Sequence, residues 1–303
     1  MTALLLGALG LTLSLLAPKL LATARWTDRA PVAGVLLWQS LTLTAVLCAL
    51  GVVLAAPEEA SRAAGARHPE TVAALLFSLV VAATIVIRLI VSLVRVTSRA
   101  RARRDRHRML VDLLDRVERH EDLGGGEVRV LDAPLPLAYC VPGRDPRVVL
   151  SDGVLRVLDR AQVDAVLAHE RAHLRHKHEL VMESFTAFYQ AVPGPLRSKV
   201  PLDAVHLLLE MVADDAARRR TGSGPLRAAL ERLTDAVPLA EEVTADPEGE
   251  SRRRRLARLT DGPAVSSAAW TVAGTTAAAG LLVLPTVIVV VPWLARALTA
   301  WPF

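Results

Sequence analysis

Four stretches of this chain carry no Asp, Glu, Lys or Arg: Thr2–Pro18, Ala30–Pro57, Thr71–Ile87 and Ala264–Ala295. A helix crossing a bilayer core needs about 20 mostly apolar residues. The second and fourth stretches exceed that length. The third reaches it with Arg88 included near one end, and the first is the weakest of the four. Backbone polar groups find no water in the bilayer, so such stretches must cross as helices. Mean hydropathy is +0.36 and 52% of the 303 residues are hydrophobic. That excludes a disordered chain and argues against a wholly soluble globule. Residues 1–98 therefore read as three membrane helices, about 2–21, 31–56 and 71–94. Residues 99–267 read as one polar domain, and 268–303 as a fourth membrane helix with a short tail.

Loop charges give the orientation. Lys19, Arg25, Asp28 and Arg29 leave the first loop at net +2, whereas Glu58, Glu59, Arg62, Arg67 and Glu70 leave the second at net −1. After the third span, Arg95, Arg99, Arg101, Arg103, Arg104, Arg106 and Arg108 face only Asp105. Basic loops stay cytoplasmic. The expectation is an N-terminus outside, a cytoplasmic polar domain and a C-terminus outside. Trp270 and Trp293 flank the fourth span as interfacial anchors, about 35 Å apart along a helix.

A signal peptide over Leu4–Leu21, cleaved near Ala22-Thr23-Ala24, is the rival for the first span, but it lacks a positive n-region. Arg88 reads as a side chain snorkelling toward the cytoplasmic interface. Cys48 and Cys140 are too few for a disulfide framework, and a polar domain without disulfides suits a reducing compartment.

Within the polar block, Met109–His120 continues the third span as a helix until Gly124-Gly125-Gly126. Val128–Leu131, Leu137–Val141 and Arg147–Leu150 read as strands, with a turn at Pro142–Pro146. A capped helix follows over Ser151–Leu158. Asp159 with Gln162 three residues on forms a capping box for a helix running through His178. Pro193-Gly194-Pro195 ends the next helix. Helices over Pro201–Thr221 and Leu226–Val237 follow, then an acidic loop over Glu241–Glu250.

The chemistry sits at His169-Glu170-Arg171-Ala172-His173. Residues four apart share a helix face, so the two imidazoles can grip one metal ion. Glu170 stands where it can take a proton from a water the metal activates and pass it to a leaving amine. With 8 His and 15 Glu in the chain, a chance HExxH occurs on the order of 1% of the time. Glu210, on the downstream helix, can supply a third, acidic ligand. Asp214, one turn later, can hold a ligand histidine by a hydrogen bond. Glu179 and Glu183 lie too close to His173 unless the helix ends abruptly. His206 reads as a surface or core histidine. His176 and His178 read as basic residues favourable at a helix C-terminus.

Together, His169–His173 and Glu210-Met211-Val212-Ala213-Asp214-Asp215-Ala216-Ala217 spell HExxH…ExxADxxA. This resembles the integral-membrane gluzincin proteases: the heat-shock-induced membrane protease, the CAAX prenyl protease and the beta-lactam sensor-transducer proteases. Val148–Leu155 and Val166–Glu170 are similar to the same group, so the resemblance covers about Ala138 to Gly222. The layout of spans is closest to the sensor-transducer branch. The resemblance implies one zinc ion per chain, held by His169, His173 and Glu210, with Glu170 as general base. It implies a membrane protein, mainly α with a small β-sheet: four transmembrane helices and a cytoplasmic α+β gluzincin domain. The sensor-transducers carry a drug-binding domain after the last span. Only Arg296–Phe303 stands there in this sequence, so antibiotic sensing by such a domain is not expected. The prenyl protease has more spans, which argues against prenylated substrates.

The strand reading and the resemblance suggest that an extended peptide adds to the edge of the Leu137–Val141 hairpin and lies across the metal. Tyr139 would then stand near the cleft. Arg218, Arg219 and Arg220 are candidates for stabilising the oxyanion, with Arg218 taken as a substrate-side residue. Arg252–Arg255 and Arg258, just before the fourth span, read as contacts for anionic lipid headgroups, as do Arg95–Arg108; no direct nucleic acid contact is expected. The functional expectation is a zinc-dependent membrane endopeptidase acting on a cytoplasmic or membrane-proximal protein. Within that expectation, regulated cleavage of a transcription repressor and general membrane quality control are both open. The rivals are a zinc-stapled scaffold without activity and a charge-driven adaptor. A structural zinc site closes with four ligands and needs no general base, so Glu170 weighs against the scaffold.

Overall fold

The computed structural model describes residues 2–63, 69–114, 128–194, 197–236, 247–260 and 267–300. They divide into two units: Met1–Leu93 with Phe188–Ala204 and Ser266–Phe303, and Val94–Ala187 with Val205–Val265. The protein is a mainly helical membrane protein with a small sheet.

The first unit holds helices α1 (Thr2–Leu15), α2 (Ala17–Thr23), α3 (Pro31–Ala63), the first part of α4 (Pro69–Leu114) and α11 (Ser267–Ala300). Pro18 stands in the first turn of α2, where a missing N–H costs least, and α1 gives way to α2 there. Four segments are long and apolar enough to cross a membrane: Ala3–Thr23, Pro31–Ala56, Val72–Val111 and Ala268–Ile288. The four expected spans are thus present, the third running on as one helix into the polar block. Leu4, Leu20, Phe77 and Val272 are exposed on these helices, the surface that lipid would cover.

Helix α3 packs against α1 and α11. A Cβ on Gly274 would come 2.9 Å from Cβ of Ala33, so the α3–α11 approach requires glycine there. Thr44 Oγ1 donates to the Leu281 carbonyl at 2.8 Å, and Trp26 stacks on Trp270 with ring centroids 5.6 Å apart. Trp270 therefore has a protein partner besides any interfacial role; the Trp293 side chain lies outside the described residues. Arg88 departs from the snorkelling expectation. Its Nε and Nη2 donate to the Ala191 carbonyl at 3.2 and 3.0 Å. It caps the end of α7 (His178–Ala191), whose last carbonyls have no partner within the helix.

The second unit is built on three strands: β1 (Val128–Leu131), β2 (Ala138–Val141) and β3 (Arg147–Ser151), in the order β1-β3-β2. β1 runs parallel to β3 and β2 antiparallel to it, with Tyr139 opposite Val149 and Cys140 opposite Val148. The central strand is covered on both faces, and Val148, Val149 and Leu150 are fully buried. That is why β3 reads as an unbroken apolar run rather than an alternating one. Ser151 caps α5 (Asp152–Val157) by accepting from the Val154 amide. Its Oγ also accepts from the Leu137 amide and donates to the Leu135 carbonyl, which ties the incoming loop to the sheet. A Cβ on Gly153 would lie 2.3 Å from the Pro134 carbonyl oxygen, so that loop closes only over glycine.

Helix α6 (Arg160–His176) starts with the expected capping box of Asp159 and Gln162. It does not run through His178. Lys177 adopts a left-handed conformation (φ 51°, ψ 44°) and closes the helix, its amide bonding to the carbonyls of His173 and Leu174. α7 begins at the next residue. Helices α8 (Val200–Thr221), α9 (Ser223–Asp235) and α10 (Pro247–Thr260) follow. The acidic segment expected as loop is helical from Pro247 onward. Residues 241–246, Val237 and His120 lie outside the described residues, and the described part of α4 ends at Leu114.

Candidate metal centre

Small side chains bring α6 and α8 together. Ala172, Ala213 and Ala216 form one buried contact, and Ala165, Ala168 and Ala217 form another with Leu226 of α9 and Leu259 of α10. Alanine spacing of three and four on α6 keeps that face thin. His169 and His173 can therefore meet Glu210 of α8. His169 Nε2 lies 3.1 Å from His173 Nε2 and 3.4 Å from Glu210 Oε2. His173 Nε2 lies 3.3 Å from Glu210 Oε1. Zinc–ligand distances of about 2.0–2.1 Å in tetrahedral geometry set neighbouring ligand atoms about 3.3–3.4 Å apart. The three side chains form the one group of this kind among the described residues; each offers a ligand atom within 4.8 Å of the others, and together they could hold a metal ion.

Behind the ligand atoms lies a layer of charge. Asp214 Oδ1 is 3.0 Å from His169 Nδ1. Arg255, from α10, donates to Asp214 through Nε (2.8 Å) and Nη2 (2.7 Å) and lies 2.9 Å from Glu210 Oε2 through Nη1. Its neighbour Arg258 donates to Asp215 at 2.6 Å and to the Met211 carbonyl at 3.3 Å. The lipid-facing role expected for Arg255 and Arg258 therefore does not hold. Both turn inward, because three-residue spacing puts them with Leu259 on the face of α10 that packs on the domain. That spacing, within what reads as a plain arginine run, is the signal that could have found them.

Burial alone would lower the pKa of His169, but Asp214 and Glu210 override it and raise it to about 10. Burial would raise Glu210; His169 and Arg255 instead hold it below the usual carboxylate range. Asp214 is likewise lowered against its burial by Arg255 and His169. Glu170 is pushed up, chiefly by burial, against the pull of His169. Burial drives His173 down to about 3.

His178 differs from its sequence reading. It is buried rather than a solvated helix-end cation, and its Nδ1 lies 3.0 Å from Nδ1 of His173. Burial lowers its pKa to about 4, with His176 adding to the shift. In one unbroken helix, residues five apart point about 140° away from each other; the left-handed turn at Lys177 folds His178 back. No residue type at position 177 announces that turn.

The structure brings together His169, His173, Glu210 and Asp214, with Glu170 beside His169. It does not bring in Tyr139 or Arg218. Tyr139 packs with Val111, Val141 and Val149, and its hydroxyl lies 2.9 Å from Nε2 of His107 on α4. Strand alternation sends the next residue, Cys140, the other way. The Cys140 thiol interacts with Glu170, and burial first, then that carboxylate, pushes its pKa up to about 12. Arg218 lies 3.2 Å from Asp215. Glu183 pairs with Arg104 of α4 and is not part of the metal group. His206 is exposed.

Residues 100–249 match the model of peptidase family M48. Among curated proteins, a protease HtpX homolog of Thermoplasma acidophilum is 32% identical over 73 residues, 23% of each chain. One of Salinibacter ruber is 36% identical over 74 residues, 23% of this chain and 26% of the relative. Protease HtpX of Alkalilimnicola ehrlichii is 29% identical over 107 residues, 32% of this chain and 36% of the relative. The chain thus spans about a quarter to a third of the length of these relatives. No solved structure matches it. The matches relate this chain to the membrane metalloproteases of the heat-shock-induced group.

Proposed function

We propose that the protein is a zinc-dependent integral-membrane endopeptidase. His169, His173 and Glu210 hold one zinc ion, Glu170 is the general base, and Asp214 orients His169. The reading is carried by His169, His173 and Glu210, each offering a ligand atom within 4.8 Å of the others, beside the half-buried Glu170. Zinc bound there would supply a Lewis acid, lowering the pKa of a water and polarising the scissile carbonyl. Glu170 takes a proton from the attacking water as its oxygen bonds to the carbonyl carbon. Glu170 then gives that proton to the amide nitrogen as the C–N bond breaks. Its raised pKa suits both transfers, since a base poised nearer neutrality also returns the proton readily.

The substrate is a protein or peptide segment in extended form. β2 is one of the two edges of the three-stranded sheet among the described residues and offers main-chain groups for strand addition. Cleavage of a transcription repressor is the narrower form of this reading and rests on the layout of spans alone. By loop charge the domain faces the cytoplasm and both termini lie outside. The exposed arginines of α4, Arg101, Arg103 and Arg106 among them, suit anionic headgroups.

Glu170→Gln tests the mechanism. In detergent-purified protein the variant should keep its zinc and lose cleavage of an unfolded protein substrate by a factor of about 10² or more. Undiminished cleavage in that variant would sink the assignment.

A further inference from the structure

We propose that His178 is a positioning residue of the metal centre, holding the ring of His173 as Asp214 holds that of His169. The inference rests on the zinc reading above and goes beyond its ligand set.

The geometry is specific. His173 presents Nε2 to Glu210 and His169, and its other nitrogen, Nδ1, meets Nδ1 of His178 at 3.0 Å. The two rings meet edge to face, with centroids 4.7 Å apart and planes at 85°. A histidine that ligates through Nε2 carries its proton on Nδ1. That proton then points at the Nδ1 lone pair of His178, whose own proton sits on Nε2. This one bond fixes the tautomer of His173 and stops its ring from turning about χ2. The two candidate ligand histidines thus have different neighbours at Nδ1, the Asp214 carboxylate 3.0 Å from His169 and the hydrogen-bonded imidazole of His178 at His173.

The backbone supports a dedicated role. Lys177 is the one non-glycine residue with positive φ among the described residues. Its conformation is sterically disfavoured for any residue with a Cβ. Such outliers persist where the surroundings require them. Here the result is a histidine only 5% exposed, turned back onto the ligand one helical turn before the break. His176 stacks on its far side at 5.7 Å and is exposed.

The test is zinc affinity of the full chain in detergent, stripped with a chelator and titrated against a competing indicator. His178→Ala should bind zinc about 10–100-fold more weakly than wild type, the loss typical of removing a ligand's hydrogen-bond partner. His178→Asn places an amide oxygen near the Nδ1 position and should recover most of the affinity. His176→Ala should match wild type. Should the alanine variant not fold, His178→Leu keeps the bulk without the acceptor and replaces it. Wild-type affinity in the alanine or leucine variant overturns the inference and leaves the zinc reading intact. An asparagine variant as weak as alanine overturns it too, because the site then needs the imidazole's shape and not its hydrogen bond. A wild type that binds no zinc overturns both.

Discussion

Asp214 and Glu210 share one guanidinium, that of Arg255, in a place where water screens little. Removing one partner from a buried charge group leaves the others uncompensated and costs about 3–5 kcal/mol. Arg255→Met should therefore lower the stability of the metal-free domain by that amount, read in denaturant unfolding. Zinc, as a replacement positive charge, should recover part of the loss. Arg255→Lys should not restore wild-type stability, because an ammonium cannot span both oxygens of Asp214 and still reach Glu210. Cys140 offers a second residue-scale check. Its pKa of about 12 leaves on the order of 10⁻⁴ of it as thiolate at pH 8, against about a quarter for a free cysteine. Iodoacetamide should then label Cys140 on the order of a thousandfold more slowly in folded than in unfolded protein, followed by mass spectrometry. Equal rates would contradict the buried, carboxylate-facing placement. The candidate pair His169 and His173 was legible at this scale because HExxH needs only helical spacing. Arg255 was not, since it reaches the site from an element whose packing face the sequence shows only weakly. Cys140 was hidden by the choice of the larger neighbour, Tyr139, on the opposite strand face.

At the scale of elements, Lys177 is the position to probe. Glycine adopts positive φ without a steric cost, although it loses more backbone freedom on folding. Lys177→Gly should stabilise the domain by about 0.5–1 kcal/mol, seen as a higher thermal midpoint, while leaving His178 in place. A destabilised variant would mean that α6 does not end at Lys177. The strands, the capping box of Asp159 and Gln162, and the starts of α5 and α6 were readable from local chemistry. Each depends on residues within a few positions of one another. The break between α6 and α7 was not readable. Lysine carries no signal for the left-handed region, and the continuing polar pattern reads as one helix. The helical start of α10 at Pro247 was likewise masked by an acidic, glycine-containing composition, although proline suits a first helical turn.

For the whole molecule, charge-free runs point to four spans, and four helices are long and apolar enough to cross a membrane, the third of them running on to Val111. What those runs could not show is how the helices are held to one another. The Thr44 bond to Leu281, the stacking of Trp26 on Trp270 and the capping of α7 by Arg88 each join residues distant in sequence. The same holds for the metal group, whose closure depends on alanine faces of α6 and α8 separated by an intervening helix. The central claim is that this closure makes a zinc site, and metal content tests it most directly. Detergent-purified wild type should carry about one zinc per chain, and His169→Ala, equally folded, should carry almost none. Wild type that is folded yet holds no stoichiometric zinc, or a His169→Ala variant that retains it, would contradict the claim.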